Sequence, residues 1–343
     1  MLNSLKIKKV IIYCIIILII HGCEKDSPVS GNCSTCTDDE CLDFVWPGNI
    51  IFEDYITTGP QYKLPFFNPL NGDEFVYVKV DKETSTFNYE LIKHVISSGQ
   101  ETILCNSQMI IGQPQWGEQG VIIFTVIGNK IMKINDDGSG LVQVTPNGVE
   151  CLYPIFEKGG FRFFVSGTTV SVNGNYFPIF DLNGIIVDSV KYRFGNNQIS
   201  YPYCSDGSMK KGYYTYADIN SSPLEISFCK LNNDESILSF YKLDMPNGLG
   251  LPHAICKNDK KLFFTQFQKG LFRLNLITGS VDKISSNCQS RYINSVSIST
   301  DGNYIIYEQV KGVKTGIDQE IDEQSEIYMV NVNTCKKTKI IGE

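Results

Sequence analysis

The chain has 343 residues, of which 42% are hydrophobic and 12% aromatic, and its formal net charge at pH 7 is −7. An acidic protein repels the phosphates of nucleic acids, and the sequence contains no basic stripe with interleaved aromatic residues, so composition argues against a nucleic-acid partner. The chain is long for one compact core, which favours a fold that spreads its core over repeated units.

The beginning of the chain has the pattern of a bacterial secretory signal, which we assign to residues 1–22. Three lysines precede an apolar run of eleven residues, Val10–Ile20. A helix of that length measures about 16 Å, half of a hydrocarbon core, so a membrane-spanning helix is the weaker interpretation. Ile20-His21-Gly22-Cys23 resembles a lipobox, the motif in which the cysteine is lipidated. The resemblance implies that Cys23 carries acyl chains, palmitate among them, and anchors the mature protein at the outer membrane, either periplasmic or surface-exposed.

Residues 23–48 are rich in Ser, Asn, Thr, Asp and Gly, and we interpret them as a tether. They contain Cys33, Cys36 and Cys41. A zinc site needs four ligands, and no second cysteine or histidine pair occurs at ligand spacing, so we favour disulfide chemistry over a metal site. The ten cysteines left after Cys14 and Cys23 are an even number, which also favours pairing, with the connectivity left open. We expect no metal and no cofactor.

One pattern recurs six times along the rest of the chain: a tight polar turn, a short apolar, aromatic-rich run, and a second strand-like run. The turns are Asn71-Gly72, Gln119-Gly120, Gly159-Gly160, Asp206-Gly207, Asp259-Lys260 and Asp301-Gly302. The runs are Phe75–Val78, Val121–Phe124, Phe161–Phe164, Tyr213–Tyr216, Leu262–Thr265 and Tyr304–Tyr307. Intervals between the turns are 48, 40, 47, 53 and 42 residues, and each leaves room for four short strands. This period favours a β-propeller over a generic β-sandwich.

The second unit shows the repeat most clearly. Pro114-Gln115-Trp116 opens a strand, Val121–Val126 and Lys130–Ile134 form the next two, and Leu141–Thr145 follows a glycine-containing turn. This order resembles the repeat of the propeller domain of TolB and its relatives, over about residues 60–341. The resemblance implies an all-β, six-bladed β-propeller within residues 49–343. It also implies that an N-terminal strand near Ile50–Phe52 closes the ring by pairing into the last blade.

The sequence offers little sign of catalysis. Only His94 and His253 remain after the signal is removed; we expect His94 to be exposed or structural, and His253 to begin an innermost strand. No nucleophile elbow, zinc-binding histidine motif or phosphate-binding glycine loop occurs. An enzyme acting on polysaccharide or peptide stays open, because paired carboxylates in the channel can come from different blades. We interpret the acidic segment 312–324 as a solvated loop rather than a calcium site.

The candidate ligand-binding surface is the face where the innermost strands begin. The residues at those starts are Tyr153, Tyr201, His253, Arg291 and Tyr292. Tyrosine and arginine are enriched at interface hot spots, and aromatic faces also stack on sugars. We therefore expect a non-catalytic envelope protein that binds a protein or glycan partner, and the alternative is the channel-carboxylate enzyme.

Overall fold

The computed structural model describes residues 59–83, 86–107, 109–165, 176–191, 193–194, 197–204, 213–218, 225–231, 237–243, 254–257, 261–266, 270–286, 291–315 and 320–342. All of these residues belong to one compact unit, Cys33–Glu343. Across these ranges, nothing helical has the length and apolar character that a membrane crossing demands. Cys23, the cysteines of the tether and the strand expected near Ile50–Phe52 lie outside the described residues.

The described ranges contain 25 strands in six antiparallel sheets, each made of strands that follow one another along the chain. Sheet 1 contains β1 (Gln61–Phe67), β2 (Glu74–Glu83), β3 (Thr86–Val95) and β4 (Gln100–Ser107). Sheet 2 contains β5 (Ile110–Trp116), β6 (Val121–Val126), β7 (Lys130–Asn135) and β8 (Val142–Gln143). Sheet 3 contains β9 (Pro154–Phe156), β10 (Arg162–Val165), β11 (Tyr176–Asp181) and β12 (Ile186–Lys191).

The second half of the chain forms the other three sheets. Sheet 4 contains β13 (Arg193–Phe194), β14 (Asn197–Cys204), β15 (Tyr213–Asp218), β16 (Glu225–Leu231) and β17 (Ile237–Leu243). Sheet 5 contains β18 (Ala254–Lys257), β19 (Lys261–Gln266), β20 (Gly270–Asn275) and β21 (Val281–Ser286). Sheet 6 contains β22 (Arg291–Ile298), β23 (Tyr304–Thr315), β24 (Glu320–Asn331) and β25 (Lys337–Ile341).

The four-stranded blade predicted for every unit is present five times among the described residues. In sheet 4 the prediction is wrong, because β13 adds a fifth strand. Arg193 and Phe194 fold back as a short hairpin on Gln198 and Asn197 at the start of β14. Each predicted aromatic-rich run supplies the second strand of a four-stranded sheet or, in sheet 4, β15.

Hydrophobic side chains fill the space between neighbouring sheets. In β6, Ile122 packs toward sheet 1 and Ile123 toward sheet 3, and both are fully buried. In β23, Ile305 packs toward sheet 5 and Ile306 toward sheet 1. Each fully buried side chain of this size contributes about 1.5–3 kcal/mol. Because both faces of the second strand are covered, its sequence is a continuous apolar run instead of an alternating one.

In three sheets, the predicted polar turn is closed by an equivalent backbone hydrogen bond. A glycine N–H donates to the carbonyl three residues earlier: Gly120 to Gly117 (3.1 Å), Gly160 to Glu157 (3.0 Å) and Gly302 to Ser299 (2.9 Å). The donor glycines have φ of 70°, 70° and 73°, a region that a side chain disfavours. At Gly160 a Cβ would also lie 2.7 Å from the Glu118 nitrogen. The glycine is therefore required by both the turn and the packing of neighbouring sheets.

The acidic segment 312–324 is not the loop that the sequence predicted. β23 continues to Thr315 and β24 begins at Glu320, and the two strands pair up to Thr315↔Glu320. Backbone pairing therefore orders most of this segment as a hairpin, and residues 316–319 lie outside the described ranges.

The structure assigns the state of four cysteines, one in a disulfide bond and three as thiols. Cys335 is disulfide-bonded, so the expectation of at least one bridge is confirmed. Cys105, Cys151 and Cys229 carry thiols, and the last two are fully buried. Cys151 belongs to the hydrophobic cluster between sheets 2 and 3, where it acts as a small apolar side chain.

Candidate functional site

The first strand of each four-stranded sheet, together with β14 of sheet 4, occupies the inside of the ring. β1 contacts β5 and β22, β5 contacts β9, and β18 contacts both β14 and β22. We call the surface at which these strands begin the upper face; it carries Gln61, Ile110, Pro154 and Arg291. The polar turns lie at the opposite ends of the strands, on the lower face.

Four of the inner strands carry β-bulges. Pairing with the second strand is interrupted between Lys63 and Phe66 in β1, Ile111 and Gln115 in β5, Ser200 and Pro202 in β14, and Ile293 and Ser295 in β22. Tyr201, a predicted site residue, is the extra residue of the bulge in β14. A bulge releases a residue from the ladder and redirects its side chain.

Tyr153 is the most exposed of the predicted site residues whose side chains the structure describes. It immediately precedes β9, and its side chain is 38% exposed. Its φ is +48°, in the left-handed region that tyrosine rarely adopts. A Cβ on Gly112, in the bulge of β5, would lie 2.8 Å from Tyr153 Cδ1. The tyrosine ring is thus seated against the backbone of the neighbouring sheet.

The other predicted residues are placed differently. Arg291 and Tyr292 are only 5% and 9% exposed. They pair with Lys311 and Val310, so they point to opposite faces of sheet 6. Truncating either one would remove packing as well as any contact with a ligand. His253 and the side chain of Tyr201 lie outside the described part of the structure.

Two hairpins extend past the upper face. Beyond the first pair of β1, Gln61↔Val80, strands β2 and β3 continue for three more pairs to Glu83↔Thr86. Beyond the first pair of β22, strands β23 and β24 continue for four more pairs. In sheet 2 the hairpin ends level with the first strand, at Ile110↔Val126. Neighbouring sheets 1 and 6 therefore form a raised side of the upper face.

A buried polar cluster, which the sequence analysis missed, joins β1 to sheet 6. Glu308 is 1% exposed. Its Oε2 accepts hydrogen bonds from the backbone N–H of Leu64 and from Asn294 Nδ2, both at 3.0 Å. Its Oε1 accepts from Ser325 Oγ at 3.0 Å. Because donors occupy both oxygens, this environment suits a structural acceptor better than a catalytic acid.

Three further side chains hold β1 against its neighbours. Ser297 Oγ accepts from the N–H of Phe67 (3.0 Å), Gln61 Oε1 accepts from the N–H of Ser325 (2.8 Å), and Gln113 Nε2 donates to the carbonyls of Pro65 (2.6 Å) and Val296 (3.1 Å). The hydrogen bonds of Gln113 connect β5, β1 and β22. No signal in the local sequence marks this cluster, because its partners are up to 264 residues apart.

His94 is a structural residue. It is 6% exposed, its ring centroid lies 4.9 Å from that of Phe75, and its Nδ1 lies 3.3 Å from Glu101 Oε1. The Tyr77 hydroxyl donates a hydrogen bond to the same Glu101 oxygen at 2.8 Å. Burial, and then this hydrogen bond, raise the pKa of Tyr77, so the phenol is a poor proton donor to a substrate. Within the described ranges, no three His, Cys, Asp or Glu side chains are grouped to hold a metal ion.

No protein-family model matches the chain, and no curated protein matches it. Among solved structures, the chain is similar to TolB from Acinetobacter baumannii, with a TM-score of 0.52, 15% identity, and coverage of 83% of this chain and 63% of that one. It is similar to a putative TolB from Agrobacterium tumefaciens, with a TM-score of 0.51, 10% identity, and coverage of 72% and 86%.

A third similar structure is the acylaminoacyl peptidase of Pyrococcus horikoshii, with a TM-score of 0.50, 12% identity and 87% of this chain covered. The chain spans 54% of that peptidase. At such identities the likeness concerns the fold and not the activity. The chain is therefore a β-propeller of TolB-like architecture.

Proposed function

We propose that this protein is a lipid-anchored, six-bladed propeller of the cell envelope that binds a protein or glycan partner at its upper face. In this proposal Cys23 carries the lipid, and the contacts come from Tyr153, Tyr201, His253, Arg291 and Tyr292. The chain uses its inner strands as a rigid frame and the segments at their starts as the recognition surface, an arrangement that suits loops carrying specificity on a scaffold.

The observation that carries the binding function is the asymmetry of the upper face. The hairpins of sheets 1 and 6 rise past it, while the hairpin of sheet 2 ends level with β5. The upper face is therefore level at sheet 2 and raised at sheets 1 and 6, and Tyr153 is exposed with its ring against sheet 2. An uneven surface with an exposed aromatic side chain is typical of recognition surfaces.

The enzymatic alternative is weaker. A glycosidase needs two carboxyl groups that face a substrate. Glu308, the buried carboxyl group closest in sequence to the inner strand β22, already accepts three hydrogen bonds from the protein. A carboxyl group with three donors from the protein stabilises the fold and does not face a substrate. This residue therefore favours the binding function over the catalytic one.

Anchoring is tested by labelling cells with palmitate. Cys23→Ala should give an unprocessed precursor without label, whereas Cys14→Ala, a change of the same kind inside the signal, should be processed and labelled normally. Label that persists in Cys23→Ala would remove the lipid anchor from the proposal.

Binding is tested by photo-crosslinking of the full chain in its native envelope. A photoreactive phenylalanine at Tyr201 should give a crosslinked adduct. The same residue at Tyr304, which lies at the lower-face end of β23 and is 37% exposed, is the control. Equal adducts from both positions, or adducts from Tyr304 alone, would contradict the assignment of the upper face.

A further inference from the structure

We propose that Tyr153 is the stacking platform for a sugar ring, so that the partner at the upper face is a glycan. This inference rests on the proposed binding function and assigns its ligand class. The inference follows from the conformation of Tyr153, the glycine that its ring contacts, and the groups at the upper-face end of sheet 2.

Tyr153 is held in a conformation that its residue type disfavours. Its φ of +48° brings a Cβ close to the following carbonyl oxygen, which is why this region is populated mainly by Gly, Asn and Asp. Strained residues of this kind persist only where the surrounding structure enforces them, and they concentrate at ligand sites. Tyrosine in this position therefore indicates a requirement for the ring itself.

Gly112 provides the seat for that ring. A Cβ at this position would lie 2.8 Å from Cδ1 and 3.0 Å from Cε1 of Tyr153, so any other residue would displace the ring. Gly112 lies in the bulge of β5, where pairing is interrupted between Ile111 and Gln115. The bulge thus brings bare backbone against one side of the ring and leaves the tyrosine 38% exposed.

The upper-face end of sheet 2, against which the ring is seated, carries two exposed apolar side chains and a polar contact to the segment before β9. Ile127 donates its N–H to the Met109 carbonyl at 2.8 Å, and these two side chains are 53% and 43% exposed. Asn129 Nδ2 lies 3.4 Å from Glu150 Oε2 in an exposed contact. The Cys151 N–H donates to the Asn129 carbonyl at 2.6 Å, which holds Asn129 beside the chain two residues before Tyr153.

This combination matches a sugar better than a protein surface. A pyranose ring has an apolar face of C–H groups, which stacks on an aromatic ring, and a rim of hydroxyls that pair with amide and carboxylate groups such as those of Asn129 and Glu150. A stable protein partner would need about 800 Å² on this side, yet Arg291 and Tyr292 are buried. Among the predicted site residues whose side chains the structure describes, the exposed one is Tyr153, and its ring is preorganised.

The test measures binding of the full chain to polysaccharides. The probes are peptidoglycan sacculi, chitin, cellulose, xylan, starch and mannan in pull-down assays, followed by titration calorimetry with the corresponding hexasaccharide. We expect one of these to bind. Tyr153→Gly, which removes the ring and relieves the positive φ, should weaken binding at least tenfold without lowering the thermal midpoint. Tyr153→Phe, which keeps the ring, should bind within threefold of wild type.

Tyr304→Ala is the matched control, because Tyr304 has almost the same exposure, 37% against 38%, but lies at the other end of the ring. Its binding should equal that of wild type. If no polysaccharide binds while the photo-crosslinker at Tyr201 captures a protein, the glycan inference is wrong and the binding function stands. If a polysaccharide binds equally well to Tyr153→Gly, the platform is wrong. If nothing binds or crosslinks, the proposed function itself fails.

Discussion

Replacing Glu308 by alanine should loosen the junction between the first and last described sheets. The change leaves the Leu64 N–H without its acceptor in a site where Glu308 is 1% exposed, and it removes an acceptor from Asn294 and Ser325. A buried donor left without a partner costs about 1–3 kcal/mol. With one backbone donor fully stranded and two side chains able to reorient, we expect a loss of about 2–3 kcal/mol.

The assay is scanning calorimetry, with the midpoint expected to fall on the order of 5–10 °C. Glu308→Gln keeps the volume and one acceptor oxygen, so it should lose about 1–2 kcal/mol. Glu118→Ala, at an exposed turn of sheet 2, is the control and should stay within about 0.5 kcal/mol of wild type. A Glu308→Ala protein as stable as this control would refute the structural role of the cluster.

Three further predictions concern single residues elsewhere in the ring. Gly184 and Gly148 share a φ of +81°, but a Cβ at Gly184 would overlap the Val144 carbonyl, whereas the space at Gly148 is open. Gly184→Ala should therefore lower the free energy of unfolding by clearly more than the roughly 1–2 kcal/mol expected for Gly148→Ala. Equal losses of free energy in urea titrations of the two variants would contradict this. Burial raises the pKa of the Cys105 thiol from its ordinary 9.0 to about 11. Iodoacetamide should therefore alkylate it at pH 8 roughly 100-fold more slowly than in the unfolded chain, and stability should fall between about pH 9 and 11, where only the unfolded chain loses this proton. Cys335→Ser should lower the midpoint because it removes the bridge at Cys335, and reductant should lower that of wild type at least as much, since it also opens any bridge of the tether cysteines; a midpoint unaffected by both would show that the bridge is dispensable.

The repeat itself could be predicted from the sequence because its signals are local. A turn such as Gln119-Gly120 needs a glycine with positive φ, and the strand that follows must be apolar on both faces because a sheet packs on each side. Ile122 and Ile123 show this directly, since they belong to clusters on opposite sides of β6. Residues of this kind reveal their environment without knowledge of the rest of the chain.

The site was less predictable because its environment is made by distant residues. Arg291 and Tyr292 do begin an inner strand, as predicted, but the sheets around β22 bury both of them. Whether a side chain at such a position is exposed depends on the neighbouring sheets, which local sequence does not encode. Glu308 directly follows the recognised apolar run Tyr304–Tyr307, and its partner Leu64 is 244 residues away.

The bulges of the inner strands also bear on how this ring could be altered. In β1, β5, β14 and β22 the residues that project from the ladder are not paired with the second strand. We expect a substitution or a one-residue insertion there to leave the register of the remaining strands of the sheet unchanged. Each of these four blades can thus acquire a different residue at its bulge independently of its neighbours, so that a recognition surface could be grafted onto the ring one blade at a time.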